Sequence, residues 1–197
     1  MSDVEQSVTG RGAATRAALL AAAREVFVSK GFAEAGVTDV VARAEASVGS
    51  LYHHFSGKAD LYLTLFEEFQ SRQTQRTKNA AREARAQGES DPMLVFLAAA
   101  RAYLDGCLEE QELAALFQRG DGPPGFEVVM RDRLSTWARR NAALFENDTA
   151  LVVVITGALA AAVQEVVPSG NRALAEQVLH IIGQIRPVAS AGGATSG

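Results

Sequence analysis

With a single cysteine, Cys107, the chain cannot form an internal disulfide, which fits a reducing compartment, and it has no C-x-x-C pair for a metal or a redox couple. Histidine is sparse too, with three residues and no H-x-x-x-H spacing. The adjacent His53 and His54 would point about 100° apart on a helix, so even with Asp39 or Glu45 nearby they do not converge on one ion or one proton. No nucleophile motif and no glycine-rich phosphate loop accompanies them. The chain is therefore not read as an enzyme: catalytic residues, metals and cofactors are all expected to be none. An excess of positive charge is missing too, since the net charge is -4. Residues 1–58 hold six basic and six acidic side chains, leaving 13 basic and 17 acidic beyond them. That balance excludes a nonspecific nucleic-acid binder but not a neutral head whose bases gather on one side. Arg11, Arg16, Arg43 and Lys58 are the candidates, with phosphate contact preferred for Lys58 and ordinary solvated charge the alternative for the rest.

A membrane span needs ~20 apolar residues. The most apolar run, Ala150 to Val167, is interrupted by Thr156, Gly157, Gln164 and Glu165 and reads as a buried helix, so no membrane is expected. Residues 1–12 are polar with no basic-then-apolar leader, which suggests a flexible arm and a cytoplasmic protein. Period-2 alternation and internal repeats are also lacking.

What is present is helical periodicity and, at 48% hydrophobic residues, enough apolar surface for a substantial core. The expected fold is all-α with about nine helices: a three-helix head over 13–57, a larger body over 58–186 and a disordered tail over 187–197. A helix from about Thr15 to Lys30 aligns Leu19, Ala23 and Phe27, and Gly31 ends it. A long helix follows Lys58 through Leu61, Leu65 and Phe69 to about Ala86. Further helices run over Met93 to Glu110, Leu113 to Gln118, Phe126 to Phe145, the apolar run and Asn171 to Ile185. The strongest loop signal is Gly120 to Gly125, and Asn147, Asp148 and Thr149 offer caps for the apolar helix.

Between the first and the long helix, Val37 to Ala44 and Val48 to Phe55 read as two short helices joined by a tight turn, a helix-turn-helix. In the second, Leu51 and Phe55 share one stripe, whereas Gly49, Ser50, His53 and His54 share the opposite arc. Ser47 is placed to cap its N-terminus, and Gly49 lets another surface approach the backbone.

Val40, Val41, Ala44, Ser47, Gly49, Leu51, Tyr52, His54, Phe55, Lys58 and Leu61 fall in a pattern that closely resembles the tetracycline-repressor family of bacterial transcription regulators. The resemblance covers roughly Thr15 to Leu61. Glu45 departs from it where the family usually has glycine, as do Ala46, Val48 and Ala35, which bears on the operator more than on the fold. It implies a ligand-responsive repressor that binds a palindromic duplex DNA operator as a homodimer. Ser50 and His53 would face base edges with Val48 and Gly49 close by. Ser47, Tyr52, His54 and Lys58 would hold phosphates, and Thr38 would cap the preceding helix or reach a phosphate.

The resemblance further implies an inducer pocket, of unreadable ligand, in the middle of the body. Phe66, Phe96, Tyr103, Cys107, Phe117, Phe126 and Trp137 are its candidate lining, although Cys107 by itself reads as a small buried hydrophobe. The dimer contact would pair the last two helices through Leu151, Ile155, Leu159, Val163, Leu174, Val178, Ile181, Ile182 and Ile185, the alternative being purely internal packing. Arg101 and Asp105, i and i+4, are expected to pair with one another. The rival reading is a helical small-molecule-binding or partner-binding protein that has lost specific DNA binding.

Overall fold

The computed structural model describes residues 2–146 and 148–185, with side chains from Gly12 on; Asn147 and the tail over 187–197 lie outside the described residues. Nine α-helices and one 3-10 turn make up the described chain, with no strand among these residues. They are α1 (Ser2–Glu34), α2 (Val37–Arg43), α3 (Val48–His54), α4 (Lys58–Ala86), α5 (Pro92–Glu109), α6 (Gln111–Gln118), α7 (Phe126–Ala142), α8 (Thr149–Ser169) and α9 (Arg172–Gln184). The backbone of α1 is helical from Ser2, where the sequence reading expected an arm up to residue 12.

Leu19, Ala23 and Phe27 have no exposed surface, so the stripe read from the sequence is the face on which the head is built. Against it pack Val40 of α2 and Leu51 of α3, both fully buried, and Phe55 just beyond α3. At Gly31 the backbone of α1 breaks (φ 80°, ψ 174°). The break leaves helix-end amides and carbonyls without helical partners, and two distant side chains take them. The Asp121 carboxylate accepts the N–H groups of Phe32 (2.7 Å) and Ala33 (3.0 Å). Lys58 Nζ donates to the carbonyls of Phe32, Ala33 and Ala35 at 2.9 to 3.1 Å. Asp121 belongs to the loop between α6 and α7, so this junction fastens head to body.

Aromatic rings complete the junction. Tyr62 of α4, fully buried, meets Phe27 and Phe32 of the head and Phe117 and Phe126 of the body edge-on, at centroid distances of 5.1 to 5.5 Å. Phe66 extends the stack onto Phe117 and Phe126. Edge-to-face packing at such spacings is favourable and leaves no room between the rings.

In the body, α4 lies along α5, and α8 packs against α5, α6, α7 and α9. By length and composition α8 is the one helix among the described residues that could cross a membrane, yet Leu151, Val152, Ile155, Leu159, Val163, Val166 and Val167 are buried in the core. Asp148 caps it by accepting the Leu151 N–H at 3.0 Å. Arg101 does not pair with Asp105: Arg101 reaches Glu176 of α9, and Asp105 receives Arg172 of α9 at 3.2 Å. The α5–α9 contact brings the longer-range partners within reach, and these exposed pairs tie two helices rather than decorating one.

Candidate nucleic-acid interface

The turn between α2 and α3 requires a left-handed residue, and Glu45 supplies it at φ 50°. A non-glycine residue held there is strained by roughly 1 kcal/mol, which accounts for the glycine that the resemblance leads one to expect at this place. Ser47 then caps α3, its Oγ accepting the Ser50 N–H at 3.0 Å, as its position in the sequence suggested. With Leu51 and Phe55 buried, α3 turns Val48 (43% exposed), Gly49, Tyr52 (57% exposed) and His53 to solvent, and leaves Ser50 and His54 half-buried at the flanks. The His53 and His54 rings meet edge-on at 4.9 Å. An added Cβ on Gly49 would meet only Ser47 Oγ, at 3.9 Å, so nothing inside the protein demands glycine there. A bare, exposed backbone flanked by a phenol, an imidazole and a hydroxyl is a surface that another molecule can approach closely.

Two of the residues singled out in the sequence are placed otherwise than expected. Lys58, expected at a phosphate, turns inward: its ammonium has three N–H donors, three carbonyls at the broken end of α1 receive them, and the group also sits 4.6 Å from the centre of the Phe32 ring. Its four-carbon stem carries the charge inward from the start of α4, a reach that spacing along the chain does not reveal. Thr38 is exposed but does not cap α2. Gly36 occupies that position, its N–H donated to Asp39 Oδ2 at 3.0 Å. Lys30, bonded to Asp39 at 2.9 Å, together with the Gly36 amide holds the Asp39 carboxyl below its usual range.

The other basic candidates are partnered as well. Arg43 pairs with Glu25, and Arg16 lies 5.0 Å from the Phe55 ring centre and 4.0 Å from Glu68. The side chain of Arg11 lies outside the described residues. The head therefore offers a polar and aromatic ridge more than a concentrated positive field.

In the body, a cavity of about 410 Å³ opens between α4, α5, α7 and α8. Tyr103 and Trp137 line it as expected; Phe66, Phe96, Cys107, Phe117 and Phe126 do not. Phe66, Phe117 and Phe126 are consumed in the junction stack, and Phe96 packs against Trp137 and Phe145, at 5.9 Å from each. Cys107 is buried beside the Tyr103 hydroxyl. Burial pushes its thiol up to about 12, so no thiolate forms near neutrality. Sequence reasoning missed the polar lining from Gln70, Gln73, Thr74, Gln118 and the arginines of α7, because it looked for aromatic residues.

Most of the residues expected at a dimer contact are covered within the single chain. Leu151, Ile155, Leu159 and Val163, together with Ile182 of α9, are buried within their own chain. Leu174, Val178 and Ile185 are half-buried, and only Ile181 stands out, at 63% exposed. The outward arc of α8 carries Val153 (65%), Val154 (52%), Gly157 and Ala161. A helix apolar nearly all round gives no sequence signal for which arc faces in.

Fold and exposed helix together define an all-α protein with a helix-turn-helix head. Residues 19–71 match the family described as bacterial regulatory proteins, tetR family. It is 46% identical over 52 residues to the HTH-type transcriptional activator FasR of Mycolicibacterium smegmatis, a match covering 26% of this chain and 24% of that protein. It is 30% identical over 139 residues to the transcriptional regulator AcuR of Cereibacter sphaeroides, covering 64% and 59%. The chain thus spans between about a quarter and three fifths of these curated relatives. Among solved structures, a transcriptional regulator from Aquifex aeolicus superposes with a TM-score of 0.68 at 19% identity, over 85% of this chain and 97% of that one. The fatty acid degradation regulator FadR of Bacillus halodurans does so at 0.67 and 16%, over 86% and 95%, and both show the same fold.

Proposed function

We propose that the protein is a cytoplasmic, ligand-responsive transcription repressor that binds a palindromic operator as a homodimer, one α3 in each of two successive major grooves. The observation that carries this reading is the solvent-facing ridge of α3, held rigidly by Leu51, Phe55 and the Ser47 cap. Ser50 and His53 would read base edges with Val48 and Gly49 alongside, while Tyr52, His54 and the exposed Ser47 would hold phosphates. Because two heads must match grooves roughly 34 Å apart, a ligand that tilts α4 changes affinity by altering head spacing. The apolar outward arc of α8 with Ile181 of α9 supports the pairing of two copies.

Gel shifts against duplexes selected from a random pool test the reading. Tyr52→Ala is expected to weaken binding to every sequence without changing the melting temperature, because the side chain is exposed. Ser50 substitutions are expected to change which sequence is preferred. Equal operator binding by the Tyr52 variant would contradict the assignment.

A second expectation concerns assembly. Val154→Glu places a charge on the outward arc of α8, so solution mass by light scattering should halve while helix content persists, and affinity for a two-half-site duplex should drop towards that for a single half-site. A dimer of unchanged mass would remove this face from the interface.

The partnered state of Arg16, Arg43 and Lys58 favours a second reading, a helical ligand-binding or partner-binding protein without an operator. Failure of the wild-type protein to select any sequence from the pool would favour it.

A further inference from the structure

The cavity in the body carries a chemical bias of its own. Its inner wall contains Gln73, 1% exposed, with neither amide atom bonded to any partner among the described residues. The Gln118 carbonyl oxygen, also in the lining, is buried and unpartnered. Burying a polar group without a partner is unfavourable, so these atoms are placed for a polar guest. Gly106 on α5 makes that placement possible: a Cβ there would lie 2.2 Å from Gln73 Oε1 and drive the amide off the wall.

The opposite wall is α7. Met130, Arg133, Leu134, Trp137 and Arg140 recur at helical spacing and all line the cavity, Met130 and Trp137 half-buried and the other three exposed at its open side. Arg133 and Arg140 thus sit about one helical turn before and after Trp137. Arg133 and Arg140 are exposed and have no carboxylate partner among the described residues, and no Asp or Glu lines the cavity. Elsewhere in the body Arg72, Arg76, Arg101 and Arg172 each reach a carboxylate from another part of the chain. Leu134, Leu159 and Val163 supply the apolar remainder.

We propose that the cavity takes an amphipathic organic anion, its carboxylate met by the guanidinium of Arg133 or of Arg140 and its apolar body lying along Trp137. The assignment rests on the reading that the body takes a small molecule and adds that molecule's charge and shape. A planar guanidinium presents paired donors that fit a carboxylate, and the indole face suits a flat or extended hydrocarbon. An amine of the same shape would meet two like charges and no acid.

Trp137 is the only tryptophan, so its fluorescence reports occupancy directly. The full-length protein is titrated with 4-phenylbutyrate, with its neutral amide 4-phenylbutanamide and with 4-phenylbutylamine. The carboxylate is expected to bind at least tenfold more tightly than the amide, and the amine most weakly. In the R133Q/R140Q double variant, checked for an unchanged melting temperature, the preference for carboxylate over amide should fall below twofold while the amide still binds. The proposal is overturned if amide or amine binds as tightly as the carboxylate, if the preference survives the double substitution, or if none of the three probes changes the fluorescence at millimolar concentration. Gel shifts on the same preparation separate the two readings: probe binding without operator binding sinks the regulator and leaves the cavity assignment, and operator binding without probe binding does the reverse.

Discussion

Replacing Gly31 by alanine is expected to destabilise the protein by about 3 kcal/mol, the sum of a strained backbone and a broken latch. The conformation at Gly31, φ 80° with ψ 174°, is one that side-chain-bearing residues scarcely populate. A Cβ there would also stand 2.4 Å from Asp121 Oδ2, the oxygen that accepts the Phe32 N–H. The carboxylate must then leave two amides unsatisfied at the point where head meets body. For a chain of this length the loss corresponds to a fall of roughly 6–12 °C in melting temperature. A double-mutant cycle separates the two contributions: in an Asp121→Ala background, which already lacks the latch, Gly31→Ala should cost only the backbone strain. Identical losses in both backgrounds would show that the close approach to Asp121 carries no energy. An unchanged melting temperature for Gly31→Ala alone would remove the latch altogether.

How much of this was legible beforehand depends on whether a property is local. The stripe Leu19, Ala23, Phe27, the Ser47 cap and the buried pair Leu51 and Phe55 follow from a 3.6-residue period and hydroxyl chemistry, and they fold as read. The break at Gly31 was legible as a helix end, but its partners, 27 and 90 residues further on, were not. The α6–α7 loop that carries Asp121 was recognised from its glycines and prolines without any hint that it docks on α1. The aromatic residues misled for a related reason. Whether Phe117 lines a cavity or stacks on Tyr62 depends on how α4, α6 and α7 cross, and composition is silent on that. Arg133 and Arg140 passed unnoticed because a charged residue on a helix ordinarily marks its solvated face. Only the placement of α7 against α4 and α8 brings that stripe to the edge of a cavity.

Lys58→Met is the second large effect expected, and it decides between two roles for one side chain. Methionine keeps the apolar stem but removes all three donors, so the carbonyls of Phe32, Ala33 and Ala35 lose their charged partner and the Phe32 ring loses its cation. Hydrogen bonds from a charged donor contribute about 1.5–3 kcal/mol each when taken singly, but three from one ammonium are not additive and water reaches part of the site; a net loss of about 2–4 kcal/mol is expected in urea titration. A surface phosphate contact behaves otherwise. Its removal leaves stability within about 0.5 kcal/mol and makes the dependence of log affinity on log salt shallower by about 0.9. Lys58→Met should therefore lower the urea midpoint and, measured well below that midpoint on a nonspecific duplex, leave the salt slope as it is. A normal midpoint with a slope shallower by about one would return Lys58 to the nucleic acid and leave the carbonyls at the end of α1 to water. With the midpoint lowered instead, the ammonium is a structural bolt, and the ridge Val48 to His53 must meet DNA without it.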